Sequence, residues 1–327
     1  MKRAGLAVPD SIMLIVAPGC CGRNTSLISS MKEYNDRFYY LMMDETDIVT
    51  GRHLKKIPKA VEEICSVCPK KPSVVMICIT CVDALLGTDM ERVCKKAEEQ
   101  VEIPVRPCYM YALTREGRKP PMVHVRQSLY SLLEPGKKKG NVVNLLGFFS
   151  PLVDDCEIYD LLHSAGVKTI HEISRCKDYM EYQTMSEANF NLVLHHEARF
   201  AAEDFHNRLQ IPFIELRRLY QIDKIENQYH ALGNALGVAF YDEKYKKQAE
   251  DALEKFRQKC PDASFAIGEC LNADPFELSL ALIRYGFSVP EIYGTNHGGE
   301  LHIHSFSGKI SPETKVFSNM EPTNDLL

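Results

Sequence analysis

The sequence predicts an α/β protein built from repeated Rossmann-like domains, each a parallel sheet flanked by helices, with the third domain incomplete. Three observations carry this expectation. Short runs of Val, Ile, Leu and Met alternate with amphipathic stretches of helical length, the pattern of βαβ units. The pattern restarts after Pro135 and Gly136 and again near Lys244. At 327 residues the chain has the length of two or three ordinary domains. The expected domains are 1–139, 140–240 and 241–327.

In the first domain the strand candidates are Ile12–Ala17, Tyr39–Met43, Val74–Ile79 and Val101–Val105, with helices at Ser26–Tyr34, Leu54–Cys65 and Asp89–Gln100. Lys137, Lys138 and Lys139 lie between Gly136 and Gly140, so they read as a solvated linker. The second domain opens with strand Asn141–Leu146. It continues with helix Asp154–Ala165, strands Val167–Ile170 and Phe190–Leu194, helix Glu197–Arg208 and the segment Ile211–Ile214. The third holds helix Lys244–Lys259, strand Ser264–Gly268, helix Pro275–Tyr285, strand Val289–Tyr293 and a last short strand at Lys315–Ser318, and looks short for a domain of its own.

Composition narrows the function. A net charge of -5 argues against nucleic acid as the main partner, because phosphate binding needs a basic face. No apolar stretch is long enough to span a bilayer. The basic start at Lys2 and Arg3 mimics a secretion signal, but Pro9, Asp10 and Ser11 interrupt the apolar run and leave a segment of strand length. A cytoplasmic protein is expected. No G-x-G-x-x-G follows the first strand and no P-loop is present, so the chain is not expected to bind a dinucleotide or ATP itself.

Twelve cysteines without a secretory route point to metal or redox chemistry rather than a disulfide framework. Two apolar strands end in cysteine: Ile12–Ala17 runs into Pro18, Gly19, Cys20, Cys21 and Gly22, and Val74–Ile79 runs into Thr80 and Cys81. Groups at the carboxyl ends of neighbouring parallel strands converge on one crevice. Cys21 and Cys81 are therefore candidates for one metal site, and soft thiolates select iron–sulfur clusters or zinc. Cys20 is a spare ligand, an alternative register of the same motif, or a packed thiol. A buried core cysteine is the competing reading of Cys81. Cys65 and Cys68 with Cys78 and Cys81 also form a C-x2-C pair of pairs, the pattern of a structural zinc, although the span between the pairs is short and reads as a strand. His195 and His196 close a strand, so one of them faces the crevice; Cys108, Tyr109 and His124 are further candidates to line it. His297, His302 and His304 cluster in a glycine-bearing stretch that reads as a surface loop.

Three stretches resemble the nitrogenase component 1 family, which includes dark-operative protochlorophyllide reductase, nickel-sirohydrochlorin reductive cyclase and the cofactor-assembly scaffolds. Pro18 to Gly22 is similar to the family's Gly-Pro-x-Gly-Cys-Gly turn after its first strand. Cys78-Ile-Thr-Cys81-Val-Asp-Ala-Leu-Leu-Gly87-Thr88-Asp89 resembles its Thr-Thr-Cys segment, and Leu145 to Asp155 the opening of its second domain. The resemblance implies that Cys21 and Cys81, with Cys20 as a further candidate, bind an iron–sulfur cluster at a subunit interface. It also implies a separate ATP-dependent reductase of the nitrogenase iron protein type as electron donor.

Departures from the family pattern refine this. No cysteine precedes Cys20, so a single [4Fe–4S] cluster shared by two subunits fits better than a bridging double cluster. His195 and His196 stand where nitrogenase's catalytic subunit has its cofactor cysteine, and the shortened third domain lacks the family's cofactor histidine. Dinitrogen is thus not the expected substrate. The expected function is a dimeric oxidoreductase component that passes electrons to another small molecule. The alternatives are a non-catalytic scaffold for cofactor assembly and a module that binds a small ligand or metal complex.

Overall fold

The fold is that of a computed structural model, which describes residues 4–19, 36–109, 120–268, 274–293 and 315–317. The expected helix Ser26–Tyr34 lies outside them. The chain divides into two compact units, Met1–Asp154 with Val167–Glu215, and Asp155–Gly166 with Leu216–Leu327.

The first unit begins with β1 (Ile12–Ala17), β2 (Phe38–Met42), α1 (Glu45–Thr50), α2 (His53–Val67), β3 (Val75–Ile79), α3 (Cys81–Leu86), α4 (Met90–Val101), β4 (Val105–Tyr109) and α5 (Pro121–Tyr130). All strands pair in parallel in the order β2-β1-β3-β4. Every residue of β1 and β3 is buried, as both faces of a central parallel strand must be covered. Alternate side chains serve different cores. Ile12, Leu14 and Val16 pack with Ile57, Val61 and Ile64 of α2 and Met90, Cys94 and Ala97 of α4. Met13, Ile15 and Ala17 face the opposite way, into a core that includes Leu129 of α5.

The fourth strand is displaced from its expected place at Val101–Val105. Val101 instead ends α4, because Glu102 adopts φ 52° and its amide caps the helix on Glu98. The strand then starts at Val105, whose amide donates to the Glu98 carboxylate. Pro107 is tolerated because β4 is the edge strand.

A second sheet repeats the plan. β5 (Lys139–Leu146), α6 (Glu157–Ser164), β6 (Thr169–His171), α7 (Tyr179–Gln183), β7 (Ala188–Val193), α8 (Arg199–Leu209) and β8 (Phe213–Glu215) follow, with strands again parallel in the order β6-β5-β7-β8. The two sheets of the first unit share a core: Leu146, Val193 and Phe205 join Met13, Met76 and Leu129. Polar ties reinforce it, since Tyr182 donates to the Leu129 carbonyl at 2.5 Å and Arg208 to that of Tyr130 at 2.9 Å.

The second unit holds α6 together with α9 (Ile222–Leu236), α10 (Glu243–Lys259), β9 (Ser264–Ile267), α11 (Pro275–Arg284), β10 (Ser288–Tyr293) and β11 (Lys315–Phe317). Its strands form a parallel sheet ordered β11-β10-β9. The core described on this sheet is small: Ile267, Val289 and Ile292 are buried, with Phe265, Phe276 and Leu282 half-buried around them.

Candidate functional site

In a sheet ordered 2-1-3-4 the chain reverses its winding between strands 1 and 3, and the crevice outside the carboxyl ends of those two strands is where α/β folds bind ligands. In the first sheet these strands are β1 and β3, paired in register from Ile12 with Val75 to Val16 with Ile79. They therefore end level with each other. Pro18 and Gly19 leave β1 toward residues 20–35, and Thr80 leaves β3 into α3, whose first residue is Cys81. Cys20 and Cys21 lie outside the described residues.

The turn after β3 is firmly built. Gly87, at φ 64°, ends α3, the Thr88 amide donates to the Asp83 carbonyl at 3.0 Å, and Asp89 caps α4 by accepting from the Arg92 amide at 3.1 Å. Asp83 is 1% exposed and its Oδ1 stands 3.0 Å from Nε2 of the equally buried His53. Burial raises the Asp83 carboxyl above its ordinary value, and His53 opposes the rise. Thr80 Oγ1 is buried with no hydrogen-bond partner among the described residues.

Other thiols are placed differently. Cys78 sits in β3 opposite Cys108 in β4, and both belong to the core facing α5. Burial pushes the Cys108 thiol far up, so it stays protonated. Cys65 and Cys68 lie against the opposite face of the sheet, where the Tyr39 hydroxyl meets Cys68 Sγ at 3.2 Å. Cys78 is thus separated by the sheet from Cys65 and Cys68, and no set of three or more His, Cys, Asp or Glu groups among the described residues could hold a metal ion.

The second sheet has the same crevice between β5 and β7. Its floor is Gly147, at φ 142°, where an added Cβ would come within 2.8 Å of the His195 amide nitrogen. His195 Nδ1 accepts from the Glu197 amide at 3.3 Å. Its ring stacks on His196 at 4.5 Å and meets Phe148 edge-on at 5.7 Å. His124, on α5, instead packs edge-on against Tyr109 at 5.5 Å. The sequence reading missed the residue that locks this second crevice. Arg126, 5% exposed on α5, donates to the Gly147 carbonyl, to the Met122 carbonyl at 3.2 Å and to Glu197 at 2.7 Å, with its guanidinium 4.9 Å from the Phe149 ring centre. No local pattern signalled it, because Arg126 is an ordinary cation until the fold supplies Gly147 and Glu197. The cluster of His297, His302 and His304 lies outside the described residues.

The family model for nitrogenase component 1 type oxidoreductase matches residues 1–300. The chain belongs to this family. Members of the family bind metal–sulfur clusters. Among curated relatives, the nitrogenase iron-molybdenum cofactor biosynthesis protein NifE of Clostridium pasteurianum is 24% identical over 76% of this chain and 54% of its own length. The protein of the same description from Nostoc sp. is 26% identical over 70% of this chain and 49% of its own length. The chain thus spans about half the length of these relatives. Among solved structures, nitrogenase Cp1 at pH 6.5 superposes with a TM-score of 0.74 at 19% identity, covering 97% of this chain and 75% of that one. This likeness shows the fold. Among the described residues no helix is long and apolar enough to cross a membrane.

Proposed function

We propose that this component 1-type chain is a cytoplasmic oxidoreductase subunit that holds an iron–sulfur cluster, of the [4Fe–4S] type, through Cys21 and Cys81. The observation that carries this reading is the level ending of β1 and β3 at the winding reversal of the first sheet, with one candidate ligand cysteine following each strand. The chain position of Cys81 supports such a group: a residue type with a soft thiol directly follows the rigid buried strand β3 and Thr80, whose hydroxyl is buried with no partner among the described residues. Cys20 is the spare local ligand.

When bound, a cluster of this kind supplies one-electron transfer at a potential set by burial and by hydrogen bonds to its sulfurs. The chain's part is to hold the thiolates, exclude water from one side with the β1 and β3 core, and fix the turn from Thr80 to Asp89. Two ligand cysteines per chain call for a second component 1-like subunit, identical or related, to complete four thiolates. Electrons come from an ATP-dependent reductase of the nitrogenase iron protein type, since this chain has no nucleotide loop of its own. A small substrate other than dinitrogen binds at the second crevice, where His195 and His196 supply imidazoles.

A second reading has its own support. The relatives described above are named for cofactor biosynthesis, which favours a scaffold that holds a cluster and passes it on. Cluster-loaded protein mixed with the reductase, ATP and a dithionite-reduced donor separates the two. Sustained electron uptake by an added substrate supports the oxidoreductase, whereas loss of iron to an acceptor protein without turnover supports the scaffold.

A further inference from the structure

Helix α3 buries an acid and exposes two leucines. Its third residue, Asp83, is 1% exposed, while Leu85 and Leu86 are 70% and 51% exposed. A surface helix ordinarily buries its leucines and exposes its acids. At six residues α3 cannot hold its own shape, so tertiary contacts decide where it sits.

Val82 packs half-buried against the apolar core, and beside it the buried contact is polar. His53 Nε2 stands 3.0 Å from Asp83 Oδ1, and His53 Nδ1 lies 3.0 Å from the Asp47 carbonyl oxygen. A carbonyl only accepts, so Nδ1 carries a proton and donates it. The Nε2 to Oδ1 contact then shares one further proton, as imidazolium against carboxylate or imidazole against carboxylic acid, and the bond exists either way. Asp47 is itself fixed, by a capping box with Asp44 and by Lys56 at 2.6 Å and Arg52 at 3.3 Å. A continuous polar chain thus runs from α1 through the first residue of α2 to the third residue of α3.

We infer that the His53–Asp83 pair is a positioning device for Cys81. Hydrogen bonds are directional, so they fix the rotation and depth of a short helix in a way that apolar contact does not. Anchored at its third residue, α3 presents its first residue, Cys81, at one place on the carboxyl edge of the sheet. This inference rests on the cluster reading of Cys81 given above.

The test uses the full chain purified without oxygen, both cluster-free and reconstituted with iron and sulfide. The double variant His53→Leu with Asp83→Leu replaces the buried pair by apolar side chains, an exchange that protein interiors often accept. Asp83→Asn keeps a hydrogen bond to His53 without the charge. In cluster-free protein, the rate at which a maleimide alkylates Cys81 is followed by peptide mass spectrometry. The double variant is expected to react about fivefold faster at Cys81 and, once reconstituted, to hold about half the wild-type iron or less, with its far-UV spectrum unchanged and its unfolding midpoint lowered only by the lost bond to the Asp47 carbonyl. Asp83→Asn is expected to restore both readings to within about twofold of wild type. Wild-type alkylation in a folded double variant overturns the inference. If that variant unfolds, Asp83→Ala is compared with Asp83→Asn in the same assays, and equal rates in the two overturn it. The two failures separate: iron retained by Cys81→Ala removes the cluster reading, and unchanged Cys81 alkylation removes the positioning role.

Discussion

Arg126 donates from both Nε and Nη2 to one oxygen, the carbonyl of Gly147, at 3.1 and 2.6 Å. The helix that follows the first sheet therefore holds the first turn after the leading strand of the second, and through Glu197 it also holds the His195 turn. This clamp adds a buried polar tie to the apolar core that the two sheets of the first unit share.

Arg126→Leu should destabilise the first unit by about 3 kcal/mol, because it strands a buried carbonyl and a largely buried carboxylate. Arg126→Lys should recover only part of this, since an ammonium cannot span both partners as the guanidinium does. Urea unfolding of the three proteins measures the difference, and a loss below about 0.5 kcal/mol for Arg126→Leu would contradict the clamp.

Gly147 and Gly51 both have positive φ, at 142° and 65°, but only Gly147 meets a neighbour where a Cβ would go. Gly51→Ala should cost about 1 kcal/mol, the ordinary penalty of left-handed backbone. Gly147→Ala should cost about 3 kcal/mol and disturb His195, because backbone rather than a flexible side chain stands in the way. Equal costs in denaturant titrations would count against the tight approach of the two crevice strands' turns.

Burial holds the His171 imidazole below its ordinary value of 6.5, against the upward pull of Glu181 and Glu187. The unfolded chain then takes up this proton at higher pH than the folded one. Its contribution is complete above about 6.5 and is lost as the pH falls below that value. Unfolding midpoints at pH 7.5 and 5.5 should differ less in His171→Gln than in wild type, and an unchanged difference would show that His171 does not carry it.

Cys81 and Cys108 make a matched pair of substitutions. Cys81→Ala should abolish iron binding after reconstitution. Cys108→Ala should leave iron unchanged and cost about 1 kcal/mol, as its thiol is a protonated core group. Iron loss in Cys108→Ala with the fold intact would reassign the ligands.

Much of this was legible in the sequence. Ile12–Ala17 and Val74–Ile79 are continuous apolar runs, and such runs in an α/β chain are central parallel strands. The helices expected at Asp89–Gln100 and Pro275–Tyr285 form at Met90–Val101 and Pro275–Arg284, where Asp89 caps the first and Pro275 opens the second. The fourth strand was misplaced because Val101 and Val105 are equally apolar, and only the left-handed cap at Glu102 decides which element each joins. α3 and α5 left no periodic signal: α3 buries an aspartate beneath exposed leucines, and α5 buries Arg126. Buried polar pairs such as His53 with Asp83, 30 residues apart, have no local pattern, because each half is ordinary until the fold supplies the other.

The most direct measurement is iron and acid-labile sulfide per chain in protein purified without oxygen. About two irons per chain with matching sulfide, lost together in Cys21→Ala and Cys81→Ala, is the result expected for a four-iron cluster shared by two subunits. Protein that binds no iron after reconstitution, or that keeps full iron without Cys81, would contradict it.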